Sequence, residues 1–439
     1  MAKKYLVETF GCQMNVHDSE RLSGLLENVG YEPAQDLGAT DLLVINTCSV
    51  RERAAEKLFA RLDRFRNRSF EERPTIAVMG CVAQQEGDKI LERAPMVDVI
   101  VGTQALEQLP IAIETAEDSG ASYVDTNPYD NVSFPIGVAK RDDSVKAYIT
   151  IIEGCNDFCS FCVVPYTRGR ERMRPAVEIV EEAKRLAGKG HKEVHLLGQI
   201  VNHYQAPDIP ECDFADLLQR LQGVSGIERI RFASPHPRHV SSQMIDAIGT
   251  LSKVCKHLHL PVQSGSTRVL SLMRRRHTRE RYLALIDDVR FRVPGISLST
   301  DVIVGFPGET VDDFEDTLSL VSEVRYHNMF SFKYSERPQT LASQRMSETV
   351  QEGEKSRRLT KLQLLQKDIQ SSLHDEMIGD VYEVLVESKS RRRDGEFCGR
   401  TTGNVIVNFP SVWDCIGGLV NVEILRAGPN SVWGQQVDS

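Results

Sequence analysis

The sequence has no apolar stretch long enough to cross a bilayer. Its opening run, Met1-Ala2-Lys3-Lys4-Tyr5-Leu6-Val7-Glu8-Thr9-Phe10, has no long hydrophobic segment and no small-residue cleavage site. These absences predict a soluble chain that is not exported. Cysteine is sparse, 10 in 439 residues, which excludes a disulfide scaffold and predicts a reducing, cytoplasmic setting where thiolates serve metals. An excess of positive charge is missing too. A net charge of −9 argues against nonspecific coating of nucleic acid, while local patches leave room for a specific RNA partner. What is present is a hydrophobic fraction of 41%, enough to fill two or three domain cores. Basic residues gather in four runs: Arg64, Arg66 and Arg68; Arg168, Arg170, Arg172 and Arg174; Arg274, Arg275 and Arg276; and Lys389, Arg391, Arg392 and Arg393. A single such run is ordinarily a solvated face; four flanking a catalytic core point to an anionic substrate.

The pattern along the chain predicts an α/β multidomain protein. Apolar strands at Lys4–Phe10, Asp41–Asn46, Thr75–Met79 and Val97–Val101 alternate with helical patterns near Asp18–Val29, Arg51–Arg66, Gln84–Glu92 and Leu106–Ala116, which implies a parallel sheet over residues 1–118. Residues 119–140 have linker composition. Over 141–373 the alternation resumes, with strands at Ala147–Glu153, Glu193–Leu197, Arg229–Ala233, Lys256–Leu260, Ser297–Val304 and Phe330–Tyr334. Six strand–helix units predict a partial (β/α)6, TIM-like barrel whose reactive groups collect at the C-terminal strand ends. A polar helix spans Val350–Leu373. Residues 374–439 then turn to short strands at Val381–Glu387, Asn404–Val407 and Leu419–Ile424, a small β-barrel of the kind that often binds oligonucleotides.

Cys155, Cys159 and Cys162 lie in a C-x3-C-x2-C run directly after the first barrel strand. Three thiolates on so tight a loop can hold three irons of a [4Fe–4S] cube, leaving the fourth open for a small molecule. Structural zinc would want a fourth Cys or His at close, regular spacing, and there is none. The spacing is the signature of radical S-adenosylmethionine (SAM) enzymes, in which SAM chelates the open iron. A second triad is dispersed. Cys12, Cys48 and Cys81 each follow an N-terminal strand, and in a parallel sheet those ends share one edge. Gly11 and Gly80 beside them permit close backbone approach. Cysteine packs well at any one buried strand end; three at equivalent positions predict a second [4Fe–4S] site. Cys212, Cys255, Cys398 and Cys415 lack this arrangement and read as structural.

The full length of the chain resembles the methylthiotransferases. The likeness rests on Gly11-Cys12-Gln13-Met14-Asn15, Asn46-Thr47-Cys48-Ser49-Val50-Arg51-Glu52, Pro165-Tyr166-Thr167-Arg168-Gly169-Arg170-Glu171-Arg172, Ser234-Pro235-His236-Pro237, Leu260-Pro261-Val262-Gln263-Ser264-Gly265 and Asp301-Val302-Ile303-Val304-Gly305-Phe306-Pro307-Gly308-Glu309-Thr310. Met14 and Ser49 are similar to the tRNA-modifying branch rather than to the branch that modifies ribosomal protein S12. The resemblance implies a three-cysteine N-terminal domain, a radical SAM core and a TRAM domain, with two [4Fe–4S] clusters and SAM. It also implies methylthiolation of C2 of N6-dimethylallyladenosine at position 37, beside the tRNA anticodon. The alternative keeps the chemistry on another target, an S12 aspartate or a differently modified adenosine.

Other residues take roles within that frame. Arg168, Arg170 and Arg172 could hold RNA phosphates or a SAM carboxylate through guanidinium forks, or form a structural ion-pair network. Gln199 and Ser234, at barrel strand ends, are placed to hydrogen-bond SAM. Gly305 and the Pro307-Gly308-Glu309 turn would shape its adenine side. His195, His257 and His259 read as scaffold histidines. Ile200 and Gln339 depart from the family pattern and bear on substrate detail rather than reaction type. No pairing surface is evident, so a monomer is expected; the sulfur donor and reductant are not identified by the sequence.

Overall fold

The computed structural model describes residues 2–49, 52–69, 72–128, 139–141, 143–390 and 393–437. Val50 and Arg51, residues 129–138 of the expected linker, and Arg391 and Arg392 of the fourth basic run lie outside the described residues.

The N-terminal sheet has six parallel strands in the order Glu32–Pro33, Lys4–Phe10, Leu42–Thr47, Thr75–Gly80, Val99–Val101 and Tyr123–Asp125. Leu42–Thr47 and Thr75–Gly80 are buried along their whole length, as central strands covered by helices on both faces must be. Separate apolar clusters fill the two faces, one around Leu22, Val44 and Ile113, the other around Ile45, Leu58 and Val78. The sixth strand corrects the linker boundary: Tyr123–Asp125 pairs with Val99–Val101 and belongs to the sheet. Three residues with one aliphatic side chain, set among Ser, Gly, Asn and Pro, carry too little periodicity to betray a strand.

Six parallel strands form the central domain, Lys146–Thr150, Glu193–Leu197, Arg229–Phe232, His257–His259, Ser297–Val304 and Asn328–Lys333. They run as two three-stranded sheets joined where Ile230 bonds the backbone of Lys253 and Cys255. The first strand ends earlier than expected, at Thr150, and Ile152–Glu153 instead makes an antiparallel ribbon with Arg172–Met173. That ribbon frames the cysteine loop.

Helix Glu352–Asp375 crosses the last barrel strand and leads into a closed five-stranded barrel. Two of its strands, Glu396–Thr401 and Val432–Gln436, go beyond the three expected. Every second residue of Glu396–Thr401 faces the small core, but Cys398 and Gly399 blur the alternation in sequence. The barrel is clamped by two arginines of the third central strand: Arg229 donates to the carbonyls of Arg400 and Glu383 at 2.5 and 3.0 Å, and Arg231 to those of Thr401 and Thr402 at 2.7 and 3.0 Å. Glu193 backs Arg231 at 2.9 Å.

Candidate active site

The loop carrying Cys155, Cys159 and Cys162 sits at the C-terminal end of the central strands and is held from several sides. Gly154 has φ +79°, and a Cβ there would lie 2.1 Å from the Arg170 carbonyl oxygen, so glycine is required for the ribbon to close. Ser160, fully buried, donates its amide to Met273 O at 3.0 Å and its hydroxyl to Leu272 O at 2.8 Å, and accepts from the Ala342 amide at 2.7 Å. Arg275 donates to Pro261 O at 2.8 Å and lies 3.6 Å from Cys159 Sγ. Burial pushes the Cys155 and Cys162 thiols up to about 12, so without a cationic partner these sulfurs stay protonated.

The dispersed triad converges as the parallel sheet demands. Phe10, Thr47 and Gly80 are in register across three neighbouring strands, and the cysteines follow them. Cys12 is the N-cap of helix Gln13–Asn28, which begins five residues before the expected start. Gly80 has φ +93°, and a Cβ there would meet Asn46 Oδ1 at 2.4 Å. Asn46 and Asn15, both fully buried, clamp the strand end to the helix, with Asn15 Nδ2 donating to Asn46 Oδ1 at 2.9 Å and Asn46 Nδ2 to Asn15 O at 2.8 Å. A hydrogen bond from Cys48, outweighing burial and aided by the Arg168 charge, brings Cys12 down to about 5. Burial holds Cys81 above its ordinary value. The hydroxyls of Thr47 and Ser49, flanking Cys48, are buried without a hydrogen-bond partner.

Among the described residues no three His, Cys, Asp or Glu side chains converge to hold a single metal ion. A cube makes a different demand: each thiolate binds its own iron, so the sulfurs spread around the cluster. Both triads suit that requirement, with glycine-permitted loops and orphaned polar atoms around them.

The two sites share a wall. Helix Gln13–Asn28 buries Asn15, His17, Asp18, Ser19, Glu20 and Arg21: Asn15 and Ser19 bond the N-terminal strands, and the other four meet the central domain and the segment that leads into it. His17 Nδ1 lies 2.7 Å from Thr150 Oγ1, Asp18 accepts from Arg168 at 2.6 Å, and Glu20 accepts from Arg141 at 2.5 Å. Arg21 reaches Glu153 at 3.5 Å, and Arg172 approaches the same carboxylate at 3.6 Å. Glu153 is two residues from Cys155, so an ion-pair chain links the helix capped by Cys12 to the barrel loop.

Arg168, expected at the substrate, is instead buried against Asp18 with 5% exposure. Burial opposes its charge, yet Asp18, Cys81 and Cys12 hold it well above its ordinary pKa. The reason is topological: the turn after Cys162 folds back under the N-terminal domain, where Gln104 holds the Arg168 carbonyl at 3.1 Å. Arg170 is exposed and Arg172 half-buried beside Glu153. Gln199 and Ser234 follow central strands at the same end as the cysteine loop. Gln199 Oε1 is buried without a partner, and Ser234 has φ +62°. Gly305 has φ +72°; its amide donates to Glu309 at 2.9 Å, and the Lys355 stem fills the place of a Cβ. His195 pairs with Glu193, while His257 and His259 share Ser299 Oγ, as scaffold histidines do. Asp18, Arg21, Glu153, Asn46 and Arg275 were missed as site residues; Asn46 and Glu153 stand two positions from a cysteine, Arg275 belongs to a basic run, and Asp18 and Arg21 carried no signal.

Three stretches of the chain match known families. Residues 4–102 match an uncharacterized protein family, UPF0004, residues 149–321 the radical SAM superfamily, and residues 375–437 the TRAM domain. Over 99% of its length the chain is 44% identical to the tRNA-2-methylthio-N(6)-dimethylallyladenosine synthase of Geotalea uraniireducens, covering 98% of that protein. The chain belongs to this methylthiotransferase family. The synthase of the same name from Syntrophus aciditrophicus is also 44% identical, with 99% and 95% of the two chains covered. Among solved structures, the radical SAM methyltransferase TsrM from Kitasatospora setae superposes with a TM-score of 0.56 at 15% identity, over 78% of this chain and 74% of that one. That likeness is one of fold. Membership in the radical SAM superfamily brings SAM and a [4Fe–4S] cluster to this methylthiotransferase. No described helix is long and apolar enough to cross a membrane.

Proposed function

We propose that this enzyme attaches a methylthio group to C2 of N6-dimethylallyladenosine at position 37 of tRNA, beside the anticodon. The observation that carries the reading is the full-length likeness to synthases of that name. The ion pairs that tie the helix capped by Cys12 to the barrel's cysteine loop support it. In this reading Cys155, Cys159 and Cys162 hold the cluster that binds SAM, and Cys12, Cys48 and Cys81 hold a second, auxiliary [4Fe–4S] cluster. When bound, these groups supply reductive cleavage of SAM and a landing place for sulfur.

The chain's own side chains then position and exclude. Ser160 and Arg275 fix the barrel loop, and Gln199 and Ser234 offer hydrogen bonds to SAM at the strand ends. Gly305 shapes the adenine side through the turn it makes with Glu309. Arg168 supplies fixed positive charge beside Cys12 and Cys81 and favours their thiolate forms. Arg170, exposed, and Arg172 face the entrance and meet RNA or the SAM carboxylate. The TRAM barrel, clamped by Arg229 and Arg231, presents RNA to the same enzyme. It works as a cytoplasmic monomer. Nucleoside mass spectrometry on tRNA from cells lacking the protein tests this: the 2-methylthio nucleoside disappears and dimethylallyladenosine accumulates. An unchanged nucleoside profile would overturn the substrate assignment.

A further inference from the structure

The basic run Arg274-Arg275-Arg276 divides its labour. Arg275 is 7% exposed and turns inward to Pro261 O and Cys159. Its neighbours Arg274 and Arg276 are exposed, and each has φ +57°. Two non-glycine residues in the left-handed region, separated by one position, hold strained backbone, and such strain gathers at binding and switch sites. Here it serves to throw two guanidinium groups outward while the one between them is held at the cysteine loop.

Those two arginines line a cleft of about 560 Å³ together with Arg281, Ser271, His277 and Thr278. No carboxylate lines it. Arg274 and Arg281 have no ion-pair partner among the described residues, and Arg276 has only Asp157, at 3.9 Å. Arginines nearby are engaged: Arg268 with Asp313, Arg279 with Glu323 and Arg292 with Asp246. Unspent cations are therefore concentrated in the cleft. Helix Arg279–Arg292 begins at the cleft, but Thr267 and Thr278 already take its Arg279 and Arg281 amides, at 2.9 and 3.3 Å, and Glu280 sits in its first turn, so the guanidinium groups and not the helix end carry the site.

We propose that this cleft is a docking site for backbone phosphates of the RNA substrate, set against the cysteine loop. The inference rests on the tRNA reading above and names the residues that grip the substrate. Guanidinium forks match phosphate oxygens bidentately. The contact of Arg276 with Asp157, inside the Cys155–Cys159 segment, places a gripped phosphate one side chain away from that loop.

The test uses the reconstituted full-length enzyme and a fluorescent anticodon stem-loop RNA carrying dimethylallyladenosine. Arg274→Asn and Arg276→Asn keep a residue that tolerates the left-handed backbone, and Arg281→Gln keeps helix propensity. Together they weaken binding about 10- to 100-fold near 100 mM salt and flatten the slope of log affinity against log salt by about 2 to 3. A control triple, Lys184→Ala, Arg185→Ala and Lys189→Ala, removes equal charge from another exposed surface and leaves both quantities within about twofold of wild type. Equal loss in the two triples, or no loss in the cleft triple, overturns the cleft. Wild-type enzyme that does not bind the RNA overturns the tRNA reading and the cleft with it. Arg281→Gln alone, with about one unit of slope at stake, decides the matter if the triple does not fold.

Discussion

The two cysteine triads are assembled by opposite routes. In the barrel, eight residues of one loop carry all three sulfurs, and the loop is strapped down by backbone bonds at Ser160 and by the glycine turn at Gly154. In the N-terminal domain, each sulfur hangs from a different strand, and only the register of the parallel sheet brings them together. Their electrostatics differ accordingly. The barrel sulfurs Cys155 and Cys162 are pushed up to about 12 by burial, whereas Cys12 is brought to about 5 by Cys48 and Arg168. The local triad has its cation, Arg275, from its own domain and beside Cys159; the dispersed one is supplied with Arg168 by the other domain.

The sharpest way to separate the two is to remove one sulfur from each. Cys159→Ala should abolish 5′-deoxyadenosine formation from SAM under reducing conditions, and product with it. Cys48→Ala should keep SAM cleavage and lose the methylthio product. Both are read by mass spectrometry of the same reaction. Sulfur insertion retained in Cys48→Ala would make the N-terminal triad merely structural.

Next in size is the shared cation. Arg168→Met leaves Asp18 buried without its 2.6 Å partner and should cost about 3–5 kcal/mol, measured by denaturant unfolding. Adding Asp18→Leu should recover most of it, because the penalty belongs to the stranded carboxylate. If the single substitution is silent, the ion pair does not hold the domains.

The two glycines sharpen the contrast further. Gly154→Ala and Gly80→Ala each place a Cβ in occupied space at positive φ and should each cost about 1–3 kcal/mol. Iron content after reconstitution should fall at the barrel site in the first variant and at the N-terminal site in the second, with the other site's spectrum intact. Loss of both signals from either variant would mean that the triads fold as one unit.

The smallest effect is a pH dependence of the joint. Burial, with Arg141 and Arg21 adding to it, holds His17 well below its ordinary value of 6.5. The folded protein keeps this imidazole neutral, so the unfolded chain binds more protons below pH 6.5. Stability from this group is full above 6.5 and falls as pH drops, by about 1.4 kcal/mol between pH 7.5 and 5.5. His17→Gln should flatten that part of the urea-midpoint profile; an unchanged slope would place the effect elsewhere.

How much of this could be read beforehand follows from the same contrast. The barrel triad was legible because spacing along the chain equals spacing in space. The dispersed triad was legible once the strands were, since strand ends in a parallel sheet share an edge. The joint was not. A helix stretch bearing His17, Asp18, Glu20 and Arg21 has the pattern of a solvated surface, and nothing in the sequence says that Arg141 and Arg168 will meet it. Arg168 was assigned to the substrate for the same reason: charge runs show where ions are, not which are already paired. In the C-terminal barrel, strands with one buried residue in two and glycine among them fell below the periodicity that marks a strand.

The wall between the triads is built of charge rather than oil, and this limits how the enzyme can be recombined. An apolar interface tolerates sliding and accepts a substitute of similar shape. A row of hydrogen-bonded ions closes in one alignment only, and any other leaves charges desolvated and alone. A chimera that exchanged the N-terminal domain for a relative's would have to carry the matching residues of the ribbon and of the turn after Cys162 along with it. The boundary of the inheritable unit therefore runs inside the barrel, beyond the Arg172–Met173 strand of the ribbon, and not through the segment that joins the two sheets.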